Sequence, residues 1–217
     1  MTIRIGYKVG LKKLPGIVLA VLLAISTVDS HAQLTTGQVV GFNFTNIDLN
    51  DGGEAVEADG ATGIHFGLTL PLAVTDYFSV LPGLQFSSKG SSYSIDTTDI
   101  SIAPIYIEIP VNLTIYIGSE NFGFPIIGGT YFSCGVGGTK IVDNGEAGDI
   151  LFGSGESKDL RLFDIGINMG AGINIKGFLI SARYEMGLAN LSPVASAATE
   201  MKNRVLGISL TTSFTGR

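Results

Sequence analysis

From residue 105 to 117 every odd position is apolar: Ile105, Ile107, Ile109, Val111, Leu113, Ile115 and Ile117. Between them lie Tyr106, Glu108, Pro110, Asn112, Thr114 and Tyr116. A period of two marks a β-strand with two unlike faces, whereas a helix repeats every ~3.6 residues. The same alternation runs from Phe163 to Ile175, from Phe178 to Leu188 and from Leu206 to Phe214. Weaker versions cover 37–46, 62–74, 78–88 and 124–138. The pattern predicts eight strands of roughly ten residues or more, the length that crosses a bilayer when tilted. Pro71, Pro82 and Pro110 fall inside these patterns and mark expected bulges or strand ends, because proline gives up a ladder donor.

The connections alternate in length. Residues 47–61, 89–103, 139–160 and 189–203 read as long loops, while Thr75-Asp76-Tyr77, 118–123 and Lys176-Gly177 read as short turns. All long loops then fall on one side of an up-and-down meander, the arrangement of outer-membrane barrels. The two tightest turns fix register. They place Arg183 opposite Gly170 and Glu185 opposite Asn168 in one hairpin, and Leu72 opposite Val80 and Phe66 opposite Phe86 in another. Paired residues share a facing in each case, as cross-strand neighbours must.

Which face lies inside decides the class. The non-apolar set consists of Gly, Ser, Thr, Asn and Tyr with few charges, a poor surface for water and a reasonable narrow interior. The apolar set then faces lipid, and ring closure satisfies every backbone group in the bilayer. The expected fold is all-β, an eight-stranded antiparallel up-and-down transmembrane β-barrel. Eight strands leave room for side chains and none for a wide pore.

Composition narrows the reading further. Charged residues make up 15% of the chain and apolar ones 45%. A soluble domain carries about 25% charged residues. The net charge of −6 argues against a nucleic-acid partner. One Cys excludes a disulfide framework. The start of the chain has Arg4, Lys8, Lys12 and Lys13, then an apolar run from Ile17 to Ile25, then Ser30-His31-Ala32. These are the parts of a secretory signal peptide. The expected organisation is a leader over 1–32 and a single barrel domain over 33–217.

Several segments resemble a known family. Phe86-Ser87-Ser88-Lys89-Gly90 and Tyr106-Ile107-Glu108-Ile109-Pro110-Val111 are similar to the PorT-like outer-membrane β-barrel family, common in Bacteroidetes. Phe163-Asp164-Ile165-Gly166, Gly170-Ala171-Gly172, Ala182-Arg183-Tyr184-Glu185-Met186-Gly187-Leu188 and the terminal aromatic Phe214 resemble it as well. That family usually ends at or near such an aromatic, whereas here Thr215-Gly216-Arg217 follow. The resemblance spans nearly all of 37–214 and carries no catalytic signature. It implies an eight-stranded barrel in the outer membrane of a Gram-negative bacterium.

Candidate chemistry is sparse. Glu108, Asp164, Arg183 and Glu185 share the inward facing, and a salt-bridge network filling the lumen is expected, because buried charges must be paired. His65 also faces inward. With a serine and Glu108 or Glu185 it would imitate the esterase set of lipid A deacylases, but a hydrogen-bonded filler is the expectation. The acidic loops hold Asp48, Asp51, Glu54, Glu57 and Asp59, and Asp143, Glu146, Asp149, Glu156 and Asp159. They lack EF-hand spacing and read as solvated, mobile connections, so no metal or cofactor is expected. Cys134 reads as a small lipid-facing residue. The function expected is a non-enzymatic, monomeric barrel in contact with outer-membrane lipid. Its long loops would present a surface to a protein or surface ligand. The alternatives are a soluble lipocalin-like barrel with an apolar interior, or a lipid-modifying membrane enzyme.

Overall fold

The computed structural model describes residues 36–52, 54–95, 98–119, 121–143, 145–194 and 199–212. The expected leader lies outside them, as does Phe214. Among these residues twelve strands form one sheet. In chain order they are β1 (Gly37–Asp51), β2 (Glu54–Val56), β3 (Ala58–Thr69), β4 (Leu72–Ala73), β5 (Phe78–Ser88) and β6 (Ser91–Ile95). They continue with β7 (Thr98–Ser119), β8 (Phe122–Val142), β9 (Gly148–Asp149), β10 (Phe163–Ile175), β11 (Phe178–Gly187) and β12 (Thr199–Thr211). Eight of them pair antiparallel in a ring, in the order β1, β3, β5, β7, β8, β10, β11, β12 and back to β1. The registers Arg183↔Gly170, Glu185↔Asn168, Leu72↔Val80 and Phe66↔Phe86 are those the turns predicted.

The faces are sorted by height along the ring. On β7, Ile105, Ile109, Val111, Leu113, Ile115 and Ile117 are exposed on the outside, and Glu108, Asn112 and Thr114 are buried inside. Strand β10 shows the same arrangement, with Phe163, Ile165, Ile167, Met169, Ile173 and Ile175 outward and Asp164, Asn168 and Asn174 inward. Thirteen residues of strand span roughly 40 Å, or about 30 Å upright at the tilt of a barrel. That matches the hydrocarbon thickness of a bilayer.

Toward the long-loop end the arrangement inverts. On β1 the outward residues change from Val40, Phe42 and Phe44 to Asn46, Asp48 and Asn50. The inward residues change from Asn43 and Thr45 to Ile47 and Leu49. On β12 the outward Leu206 gives way to Arg204 and Lys202, and the inward set ends in Met201. Above this line the ring has the inside and outside of a water-soluble protein.

The four expected long loops are therefore corrected. Most of 47–61 and 89–103 is strand, carried by the outward extensions of β1, β3 and β7 and by β2 and β6, whereas 139–160 and 189–203 are strand only at the ends of β8 and β12 and in β9. What remains is not a set of loose acidic connections. Ile150, Leu160 and Leu191 pack with Ile47, Leu49, Ile102 and Met201 into an apolar core that caps the ring. Phe152 joins it edge-on against Tyr106, with ring centroids 5.9 Å apart. Gly135 makes this possible, because a side chain there would run into the Phe152 ring. Backbone bonds tie the cap down, from Arg161 N to Leu191 O at 2.9 Å and from Gly135 N to Leu162 O at 2.8 Å.

Asp159 anchors the cap segment. It accepts from Lys140 Nζ at 2.7 Å and from Leu151 N at 2.8 Å. Burial alone would raise its carboxyl, but the Leu151 N–H and the Lys140 ammonium prevail and hold it below its ordinary value. The depressed value means the anchor is complete above the ordinary Asp range of about 3.9 and is lost as the pH falls through the lower folded value. The hydrogen-exchange protection of the Leu151 amide should therefore drop at that acidic end, and Asp159→Asn should remove the pH dependence. Equal protection of this amide across the acidic range in the native chain would contradict the assignment.

The prolines behave as interruptions. The run expected over 62–74 breaks at Pro71, between β3 and β4. Pro82 and Pro110 lie within β5 and β7, whose pairing lapses at Gly83 and Leu84, across from Pro110 and Ile109. At the short-turn end, Leu81, Tyr116, Ile127 and Leu179 form a second apolar cluster inside the ring.

Candidate functional site

Between the two apolar clusters the interior is polar, and its centre is a lysine. Lys89 follows β5 directly, and its side chain is fully buried. Its ammonium lies 2.8 Å from Glu108 Oε2, 3.4 Å from Glu185 Oε2 and 4.0 Å from Asp164 Oδ2. The ring of Tyr131 stands 4.4 Å away and that of Tyr106 5.5 Å away. Aromatic faces attract a cation most strongly where water is excluded. Gly166 clears the floor for Tyr131, since a Cβ there would come within 2.5 Å of its ring.

Each carboxylate has a further partner. Glu108 accepts from Gln85 Nε2. Asp164 accepts from Asn203 Nδ2 at 2.8 Å and from the Tyr131 hydroxyl at 3.2 Å. Glu185 takes Arg183 at 2.8 Å. The structure thus gathers Glu108, Asp164 and Glu185 around one cation, and Arg183 joins through Glu185. Sequence reasoning missed Lys89 because 89–103 read as a loop. The signal was present in parity: Gln85, Ser87, Lys89 and Ser91 are alternate residues, and all are buried.

His65 is a further buried titratable group of the lumen. Its Nδ1 lies 2.7 Å from Asn43 Oδ1, and its Nε2 lies 2.8 Å from Ser209 Oγ. Asn43 spends its amide N–H groups on Ser87 Oγ and Ser88 O, both at 3.0 Å. Its oxygen therefore faces His65, which fixes the proton on Nδ1 and leaves Nε2 to accept from Ser209. The partners are thus Asn43 and Ser209, not the Glu108 or Glu185 of the esterase alternative. The cavity at Ser209 measures about 50 Å³ and is shared with Gln85, Asn112 and Arg183. A lipid ester needs several times that volume.

Among the described residues no group of three or more His, Cys, Asp or Glu side chains could hold a metal ion. Cys134 is half-buried on the outward face of β8, paired with Ile107 and Phe163. Tyr77, Phe122, Phe124 and Phe178 are exposed at the short-turn end. Between its two apolar clusters the lumen is lined by paired polar and charged groups, whereas the lipocalin-like alternative requires an apolar interior.

No curated protein sequence matches the chain. Among solved structures it is similar to Ail, the attachment invasion locus protein of Yersinia pestis. Identity is 11% and the TM-score 0.38, covering 83% of this chain and 99% of that one. It is similar to Neisserial surface protein A at 11% identity and a TM-score of 0.43, covering 82% and 97%. It is similar to the outer membrane protein OprG of Pseudomonas aeruginosa at 11% identity and a TM-score of 0.42, covering 86% and 100%. The family model described as outer membrane protein beta-barrel domain matches residues 31–192. Polar lumen, apolar girth and family match agree: the chain belongs to the outer-membrane protein beta-barrel domain family, whose place is the outer membrane of Gram-negative bacteria.

Proposed function

We propose that this chain is a closed, eight-stranded, monomeric outer-membrane barrel that works without catalysis or cofactor. Its rigid outer end is the surface it presents to a protein or other surface ligand. Within its family we place it in the PorT-like group, delivered after cleavage of the leader at Ala32. The observation that carries this reading is the inversion of facing along β1, β7 and β12. Apolar residues face outward over bilayer height and inward above it. A soluble barrel has no reason to change its facing partway along a strand. The charge belt supports a sealed lumen, because Lys89 and its partners fill the cross-section with paired groups.

Heat-modifiability of the detergent-extracted mature protein tests the reading. On SDS gels the unboiled sample should run faster than the boiled one. In planar bilayers it should show no stable large conductance. A single band insensitive to heating, with the protein in the soluble periplasmic fraction, would overturn the barrel assignment. Large steady channels would overturn the sealed lumen.

A further inference from the structure

β1 and β3 pair only as far as Thr45 and Ala61. Beyond that point β3 turns to β6 through Gly60 and Ser91, while β1 continues beside β12 and picks up β2. The wall splits there, at the height where the facing inverts. Side chains stitch the exposed backbone: Asn46 Oδ1 lies 2.8 Å from Ile47 N and 3.1 Å from Ser91 Oγ.

On the outer surface the split leaves a groove of about 450 Å³ that runs into a second of about 660 Å³ farther out. Its inner edge is one register row, Tyr184, Leu206, Phe44 and Thr62. The next row outward holds Arg204 and Asn46. Arg204 is held in place by donation to Gly187 O at 3.0 Å and Asn203 O at 3.1 Å, and it meets Asp48 Oδ2 at 2.7 Å. The outer groove adds Glu57, Asp59, Glu200 and Lys202. Lys202 is engaged by Glu200 at 3.0 Å.

Read from the bilayer outward, the groove is apolar, then cationic, then acidic. A lone anion at Arg204 would sit beside several carboxylates. A lone cation would meet the guanidinium first. A zwitterion whose anion lies nearer its acyl chains satisfies both layers, and arginine matches phosphate geometry with paired donors. We propose that this groove binds the head of a phosphoethanolamine-bearing lipid. The phosphate rests on Arg204, the ammonium reaches Asp48 and Asp59, and the acyl chains lie along Phe44 and Leu206. The proposal rests on the reading that the apolar band is immersed in the membrane.

Native mass spectrometry of the mature protein in detergent, loaded with defined lipids, tests this. Dioleoyl phosphatidylethanolamine should be retained about tenfold over the phosphatidylglycerol and phosphatidylcholine analogues, the scale of one charge-assisted hydrogen bond. Arg204→Gln should abolish that preference, and Asp48→Asn should weaken it, with the heat-shift of both variants unchanged. A parallel pair of lipid A samples, with and without phosphoethanolamine, separates the sources: selective retention of the decorated glycolipid alone assigns the head to a glycolipid. Equal retention of all lipids by the native chain, or unaltered selectivity in both variants, overturns the site while leaving the barrel assignment intact. A native chain without a heat-shift overturns the membrane reading and the site with it.

Discussion

Replacing Lys89 by methionine should cost about 3–5 kcal/mol, the penalty for leaving buried charge uncompensated. Glu185 keeps Arg183 at 2.8 Å. Glu108 and Asp164 have no other cation within 4.0 Å among the described residues. They would retain only Gln85, Asn203 and Tyr131 as neutral donors. Urea unfolding of the protein from lipid vesicles measures the loss. A second change, Glu108→Gln, should recover part of it, because it removes one of the two stranded carboxylates. A Lys89→Met chain as stable as the native one would mean that the belt does not hold the lumen together. Recovery by Glu108→Gln separates this electrostatic account from a simple loss of packing, which the second substitution would not repair.

Met169→Arg is expected to cost about 2–4 kcal/mol, the value for a cation at mid-bilayer on the lipid face of a barrel. Met169 is 59% exposed and sits at the middle of the outward row of β10, between Phe163 and Ile175. On a protein surrounded by water such a substitution changes stability by no more than about 0.5 kcal/mol. The two solvents therefore predict effects that differ severalfold at one residue whose neighbours are untouched. The measurement is the same urea titration. A change within the smaller range would sink the immersion of this face. Lys202→Gln, above the inversion line, is the control that should be nearly silent, because it loses only an exposed ion pair.

The parts of this fold visible in the sequence are those where a single parity persists. The outward rows of β7 and β10 keep one parity for thirteen residues, so their strands and facing followed from alternation, and the two tightest turns gave the registers of β10 with β11 and of β3 and β4 with β5. The extensions were hidden because the polarity, not the strand, changes. Phe44 and Ile47 are both apolar, yet they lie on opposite faces, and a search for one apolar parity stops between them. Lys89 was lost for the same reason, having been assigned to a loop that is largely strand. The cap had no periodic signal at all. Ile150, Leu160 and Leu191 lie in irregular segments, and only tertiary packing brings them together. The groove by the β1–β3 split depends on where two ladders part, which no local pattern encodes.

The belt also constrains the order of events during insertion. Lys89 draws its counter-charges from β7, β10 and β11, and Asp164 is held in turn by Asn203 on β12. These strands come from both halves of the chain, and β12 closes the ring against β1. A partly assembled sheet that entered the bilayer would expose an ammonium without its carboxylates, or carboxylates without their ammonium. Each such intermediate carries a desolvation penalty that is offset only when Lys89 and its carboxylates come together. With its counter-charges on three separate strands, the central lysine ties the stability of each part of the ring to the presence of the others.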